Sequence, residues 1–131
     1  MSNRKKIMVV DDDERLLETT RFILEKEGYE VLIYNRAIGS ISNIRNFQPD
    51  LVLLDINMPA LSGESLAGVI NSTKSLAGAK IVFYSSNDEE SLREAVIKNG
   101  VRGYICKGDL LGLRRKVASF IAEDEAPVSL G

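Results

Sequence analysis

The stretch "IMVVDDDERLL", Ile7 to Leu17, decides how the rest of the chain is read. An apolar run ends on Val9 and Val10 and passes straight into four consecutive acids, Asp11 to Glu14. The apolar part suits a strand covered on both faces. The residues after it, "ERLLETTRFILEKEG", put Leu16, Leu17, Thr20, Ile23 and Leu24 on one helical stripe, with Gly28 as the stop. One acid at a helix cap is stabilising, so Asp13 has a structural use. Asp11 and Asp12 either extend a generous cap or have another reason, because like charges side by side repel.

The same alternation continues to the end of the chain. "YEVLIY" reads as a second strand, and "AIGSISNIRNF" as a helix through Ile38, Ile41 and Ile44, closed by Pro49. "DLVLLD" is an almost wholly apolar third strand, followed after a Pro-Gly loop by "GESLAGVINS", a helix through Leu66, Val69 and Ile70. "KIVFYSS" is the fourth strand, and "EESLREAVIKNG" a helix with Leu92, Ala95 and Val96 inward. "VRGYICK" and "DLLGLRRKVASFIA" complete the series, the last helix capped by Asp109. Five strand–helix alternations predict a single α/β domain with a five-stranded parallel sheet and helices on both faces. Ligands of such sheets bind beyond the carboxyl ends of the strands. Asp11 to Asp13, Asp55, Ser85 and Lys107 all fall there.

Composition narrows the chemistry. The 131 residues carry a net charge of −2, so neither a nucleic-acid nor a membrane surface is expected. Arg114, Arg115 and Lys116 form the densest basic cluster, which reads as a solvated helix face. No apolar run is long enough to span a bilayer, and the expected location is cytoplasmic. A single cysteine, Cys106, excludes an internal disulfide and a cysteine zinc cluster. The chain has no histidine, which removes Ser-His catalysis, imidazole ligands and a phosphohistidine role.

The carboxylates at the sheet edge then need a partner. Asp11 and Asp12 beside Asp55 would repel and raise one another's pKa. A hard divalent cation removes the conflict: Mg²⁺ prefers oxygen ligands and uses one or two carboxylates plus a phosphate. Asp55, ending a buried strand, could alternatively be a turn residue, or a carboxylate able to form an acyl phosphate. Lys107 could snorkel to water, or pair with Asp55 and later with phosphate oxygens. Ser85 could be a turn residue or a hydroxyl donor at the same edge.

"IMVVDDD", "LVLLDINMP", "FYSS" and "GYICK" together resemble the receiver domain of bacterial two-component response regulators. The steps Asp12 to Asp55, Asp55 to Ser85 and Ser85 to Lys107 are 43, 30 and 22 positions, from the differences of the residue numbers, and they agree with that family. The resemblance implies the flavodoxin-like, doubly wound strand order 2-1-3-4-5, for which this family is itself a standard example. It implies Asp55 as phosphoacceptor from a sensor histidine kinase, a phosphotransfer protein or a small phosphodonor. Asp12 would bind Mg²⁺ (or Mn²⁺) directly and Asp11 mainly through water, with Asp55 and the backbone carbonyl of Asn57 as further ligands. Lys107 and Ser85 would hold the phosphoryl oxygens. Tyr104 would be the aromatic switch coupled to Ser85, its other reading being a half-buried strand tyrosine with a wet hydroxyl. Asn57, Ser86 and Asn87 lie where the family tunes dephosphorylation.

One departure stands out: Gly108 follows Lys107 where the family usually has proline, often cis. A cis bond without proline costs roughly 2.5–4 kcal/mol, so a trans and more mobile turn is expected. Cys106 should face away from Lys107 as a small buried hydrophobe. Residues 1–122 read as the domain and 123–131, "EDEAPVSLG", as a tail or the start of a linker. A receiver acting alone must dock on another protein, and exposed parts of "SLREAVIKNG", "GYICK" and "DLLGLRRK", with Arg93, Tyr104 and Arg114, are the expected surface. The rival readings are a Mg²⁺-dependent aspartyl-phosphate phosphohydrolase and a protein-binding receiver that works without phosphorylation. The first typically has D-x-D on its nucleophile strand, whereas Asp55 is followed by Ile56 and Asn57; the second would lack acids or the lysine.

Overall fold

The apolar runs become strands because each can bury both faces, and the amphipathic segments between them supply the cover. The computed structural model describes residues 4–76 and 78–123. In chain order it contains β1 (Lys6–Val10), α1 (Glu14–Lys26), β2 (Glu30–Tyr34), α2 (Ser40–Phe47), β3 (Leu51–Leu54), α3 (Gly63–Ser72), a 3₁₀ turn (Lys74–Leu76), β4 (Lys80–Ser85), α4 (Glu89–Asn99), β5 (Gly103–Cys106) and α5 (Leu110–Ala122). The strands form one parallel sheet in the order β2-β1-β3-β4-β5, as expected.

The period of two along a strand sorts the core into two layers. Met8, Val10, Val52, Leu54, Ile81 and Phe83 pack under α2, α3 and α4. Ile7, Val9, Leu51, Leu53, Val82, Tyr84 and Ile105 point the other way, against Leu17 and Leu24 of α1 and Leu113, Val117 and Ile121 of α5. The central strand β3 is buried at all four positions, whereas the edge strand β2 is only half-buried throughout.

Caps fix the helix starts. Asp13, Ser62, Asp88 and Asp109 each accept a backbone N–H from three residues on, including the two caps the sequence predicts, Asp13 and Asp109. Two inward assignments are corrected. Ile38 precedes α2 and is 60% exposed, because Gly39 turns the chain and Ala37 takes the buried place. Val69 is 43% exposed: the buried arc of α3 runs through Gly63, Leu66, Ala67 and Ile70, leaving Val69 to its side. Lys80, unremarked in the sequence, is buried at the start of β4 and donates its Nζ to the carbonyl of Phe120. The expected tail, apart from Glu123, lies outside the described residues.

Candidate functional site

The ladders run one residue past β1 and β3, which aligns two acids at the sheet edge. Asp11 N–H donates to Tyr34 O at 3.1 Å, and Asp55 N–H to Val10 O at 3.0 Å. Both side chains are buried, Asp11 at 1% and Asp55 at 4% exposure, while Asp12 is exposed beside them. One carboxylate oxygen from each of Asp11, Asp12 and Asp55 lies within 4.8 Å of the others. Asp13 N–H donates to Asp11 Oδ1 at 3.0 Å, and Asn57 N–H to Asp55 Oδ1 at 3.3 Å, so the loops after both strands hold their carboxylates by backbone amides.

Lys107 bridges the two buried acids. Its Nζ lies 2.7 Å from Asp11 Oδ2 and 3.3 Å from Asp55 Oδ2. The sequence suggests Asp55 as the partner, yet the closer carboxylate is Asp11. Burial raises the Asp55 carboxyl above its ordinary range and the Asp11 charge adds to this; Lys107 and the Asn57 amide oppose it without restoring it. Burial also works against the Lys107 ammonium, but the close Asp11 carboxylate, followed by that of Asp55, holds its pKa above the usual lysine value.

Asp11 Oδ2 is buried and faces that ammonium, yet accepts no well-directed hydrogen bond. Proximity to Lys107 therefore neutralises the oxygen without saturating its lone pairs. An under-coordinated buried oxygen beside two further carboxylates is a donor set that fits a hard divalent cation, all oxygen and partly open to water through Asp12.

Of the remaining predicted residues, Ser85, Asn57, Ser86 and Asn87 lie at the ends of β4 and β3 on the same sheet edge, whereas Tyr104 and Cys106 belong to β5. Ser85, fully buried, accepts the Asn87 amide on its Oγ at 3.2 Å, and Lys107 N–H donates to Ser85 O at 2.9 Å. Asn57 Nδ2 donates to Asn87 Oδ1 at 2.7 Å, tying the β3–α3 loop to the β4–α4 loop; Ser86, next to Asn87 in the chain, is exposed. Tyr104 stands apart from the acids. Its hydroxyl donates to Glu89 Oε1 at 3.1 Å, and burial together with this bond raises the phenol's pKa. Lys116 Nζ lies 4.6 Å from the centre of the Tyr104 ring, so one member of the basic cluster is not merely solvated. Cys106 is half-buried and packs on the α2–α3–α4 layer, opposite in direction to Ile105. No described peptide bond is cis, so Lys107–Gly108 is trans, with Gly108 at φ +90°, a conformation suited to glycine.

Gly63 is a residue the sequence reading missed. Its N–H donates to Ile56 O at 2.9 Å, and a Cβ there would come within 2.1 Å of the Asp55 carbonyl oxygen. The start of α3 is thus pressed against the backbone of Asp55. Its only sequence signal was the Pro-Gly loop, which carries no information on close approach.

A parallel α/β sheet with acids after β1 and β3, a hydroxyl at the end of β4 and a lysine after β5 has the layout of a receiver-type signalling domain. The family model of the response regulator receiver domain matches residues 7–117, and the chain belongs to that family, the receiver domains of two-component signalling. It is 35% identical over 102 residues to YvcP of Bacillus subtilis, an uncharacterized transcriptional regulatory protein, covering 78% of this chain and 42% of that one. The chain spans less than half the length of the curated relatives it matches. A CheY-like receiver domain from Methanospirillum hungatei superposes with a TM-score of 0.83 at 31% identity, covering 94% of this chain and 98% of that one. The response regulator TrrA of Thermotoga maritima, solved in complex with Mg²⁺ and BeF, superposes with a TM-score of 0.77 at 29% identity, over 88% of this chain and 98% of that one.

Proposed function

We propose that Asp55 accepts a phosphoryl group from a sensor histidine kinase, a phosphotransfer protein or a small phosphodonor, and that the acyl phosphate switches a protein-binding surface. The observation that carries this reading is Lys107 held between two buried carboxylates, Asp11 and Asp55, within one acidic cluster. Asp11, Asp12, Asp55 and the backbone carbonyl of Asn57 would hold the divalent cation, Mg²⁺ or Mn²⁺. When bound, that cation neutralises charge on the phosphoryl oxygens.

The steps made by the chain's own groups follow from position and charge. An Asp55 oxygen attacks phosphorus in line, the bond from phosphorus to the donor breaks, and the donor leaves with that electron pair. Lys107 moves its ammonium onto a phosphoryl oxygen, exchanging a carboxylate for a more highly charged partner. The Ser85 hydroxyl leaves the Asn87 amide to donate to a second oxygen. Water later attacks the acyl phosphate and regenerates the carboxylate; Asn57, Ser86 and Asn87 flank that approach. The chain modifies itself and turns over no external substrate.

Phosphorylation adds roughly 1.5–2 negative charges, enough to bias a two-state loop. Output passes through α4, β5 and α5, with Tyr104 released from Glu89 as Ser85 moves. The phosphohydrolase rival has no support in this pocket, since the second residue after Asp55 is Asn57, whose amide is engaged with Asn87. A thermal-melt series tests the reading. Mg²⁺ with beryllofluoride, a phosphoryl mimic, raises the Tm of the wild type beyond Mg²⁺ alone, and Asp55→Ala removes the increment. Equal increments in both would refute Asp55 as the acceptor.

A further inference from the structure

Besides the buried Lys80 at its margin, the α1–α5 layer encloses one polar pair that the proposed chemistry does not use. Tyr84 and Thr20 are each 1% exposed, 64 residues apart in sequence, and their hydroxyls lie 3.3 Å from one another. Burying two hydroxyls for a single long hydrogen bond is no gain over an apolar pair of the same shape. Stability alone therefore gives no reason for the pair.

Its position does. Tyr84 directly precedes Ser85 and is paired across the sheet with Ile105, two residues before Lys107. Thr20 lies on the buried face of α1, the helix whose cap residue Asp13 donates its N–H to Asp11. β3 separates β1 from β4 in the sheet, so the Tyr84 side chain reaches past it to α1. Both charges of the Lys107–Asp11 pair are felt at the Tyr84 phenol, whose pKa is raised chiefly by burial. Apolar packing is non-directional and tolerates sliding, whereas a hydrogen bond fixes a register.

We propose that Tyr84 and Thr20 are positioning residues of the candidate site: their buried hydrogen bond locks α1 to β4, and so holds the Asp11 side of the pocket in register with the Ser85 and Lys107 side. The proposal rests on Asp55 phosphorylation as described above.

The test uses the full chain with acetyl phosphate and Mg²⁺, in Tyr84→Phe, Thr20→Val and the double variant. Thr20→Val strands a buried phenol and lowers the Tm, and the double variant, apolar on both sides, recovers it. The rate of phosphoryl uptake behaves differently: it falls by about tenfold in all three, as for a misalignment smaller than the ~1 Å shift that costs about a hundredfold. Stability rescued without the rate, and a double variant no slower than the singles, is the expected pattern. A rate that recovers together with the Tm, or that never falls, overturns the proposal. A wild type that takes up no phosphoryl group defeats instead the reading on which the proposal rests.

Discussion

Asp55 is unstable as a charge where it stands. Its folded pKa is raised, chiefly by burial and next by Asp11, so the native state binds its proton more tightly than the unfolded chain does. The associated stability is fully present below the unfolded value, about 3.9, and is lost as pH rises through the higher folded value. Asp55→Asn removes that loss. Its Tm should exceed that of the wild type at neutral pH, and the gap should close on acidification across that window; a constant gap would contradict the assignment. Lys107→Met acts oppositely, leaving Asp11 and Asp55 facing each other without a cation. Denaturant melts should show a loss toward the lower end of the roughly 3–5 kcal/mol of a broken buried pair, since the pocket opens to water, with part recovered on adding Mg²⁺. The identities of Asp11, Asp12, Asp55, Ser85 and Lys107 were legible because strand ends converge in a parallel sheet. The nearer partner of Lys107 was not, because side-chain reach across a pocket leaves no trace in spacing.

At the scale of elements, the loop between β3 and α3 carries backbone strain close to the candidate site. Ala60 sits at φ +69°, and Gly63 is pressed onto the Asp55 carbonyl. Ala60→Gly should stabilise the chain by about 0.5–1 kcal/mol in denaturant melts, the relief of a left-handed alanine less the greater freedom of glycine when unfolded. No change, or a loss, would mean that the loop carries no such strain. The strands and all five helices were readable from periodicity and caps. Ile38 and Val69 were not placed correctly, because helical spacing tolerates a neighbouring phase when a small residue, Ala37 or Ala67, can take the buried position. Nothing in the spacing around Lys80 signals its burial, which goes with a tertiary contact to the Phe120 carbonyl.

Across the whole molecule, acids from two strand ends, a lysine from a third and a serine from a fourth meet at one edge of one sheet. That convergence follows from the parallel order and needs no local motif beyond the strand ends. On the proposed function, this edge exists to receive a phosphoryl group on Asp55. Intact-mass spectrometry with peptide mapping, after incubation with acetyl phosphate and Mg²⁺, tests it most directly. One phosphoryl adduct on Asp55 is expected, lost with chelator and absent in Asp55→Ala. A folded wild-type chain that stays unmodified, or an adduct that maps to another residue and persists in Asp55→Ala, would contradict it.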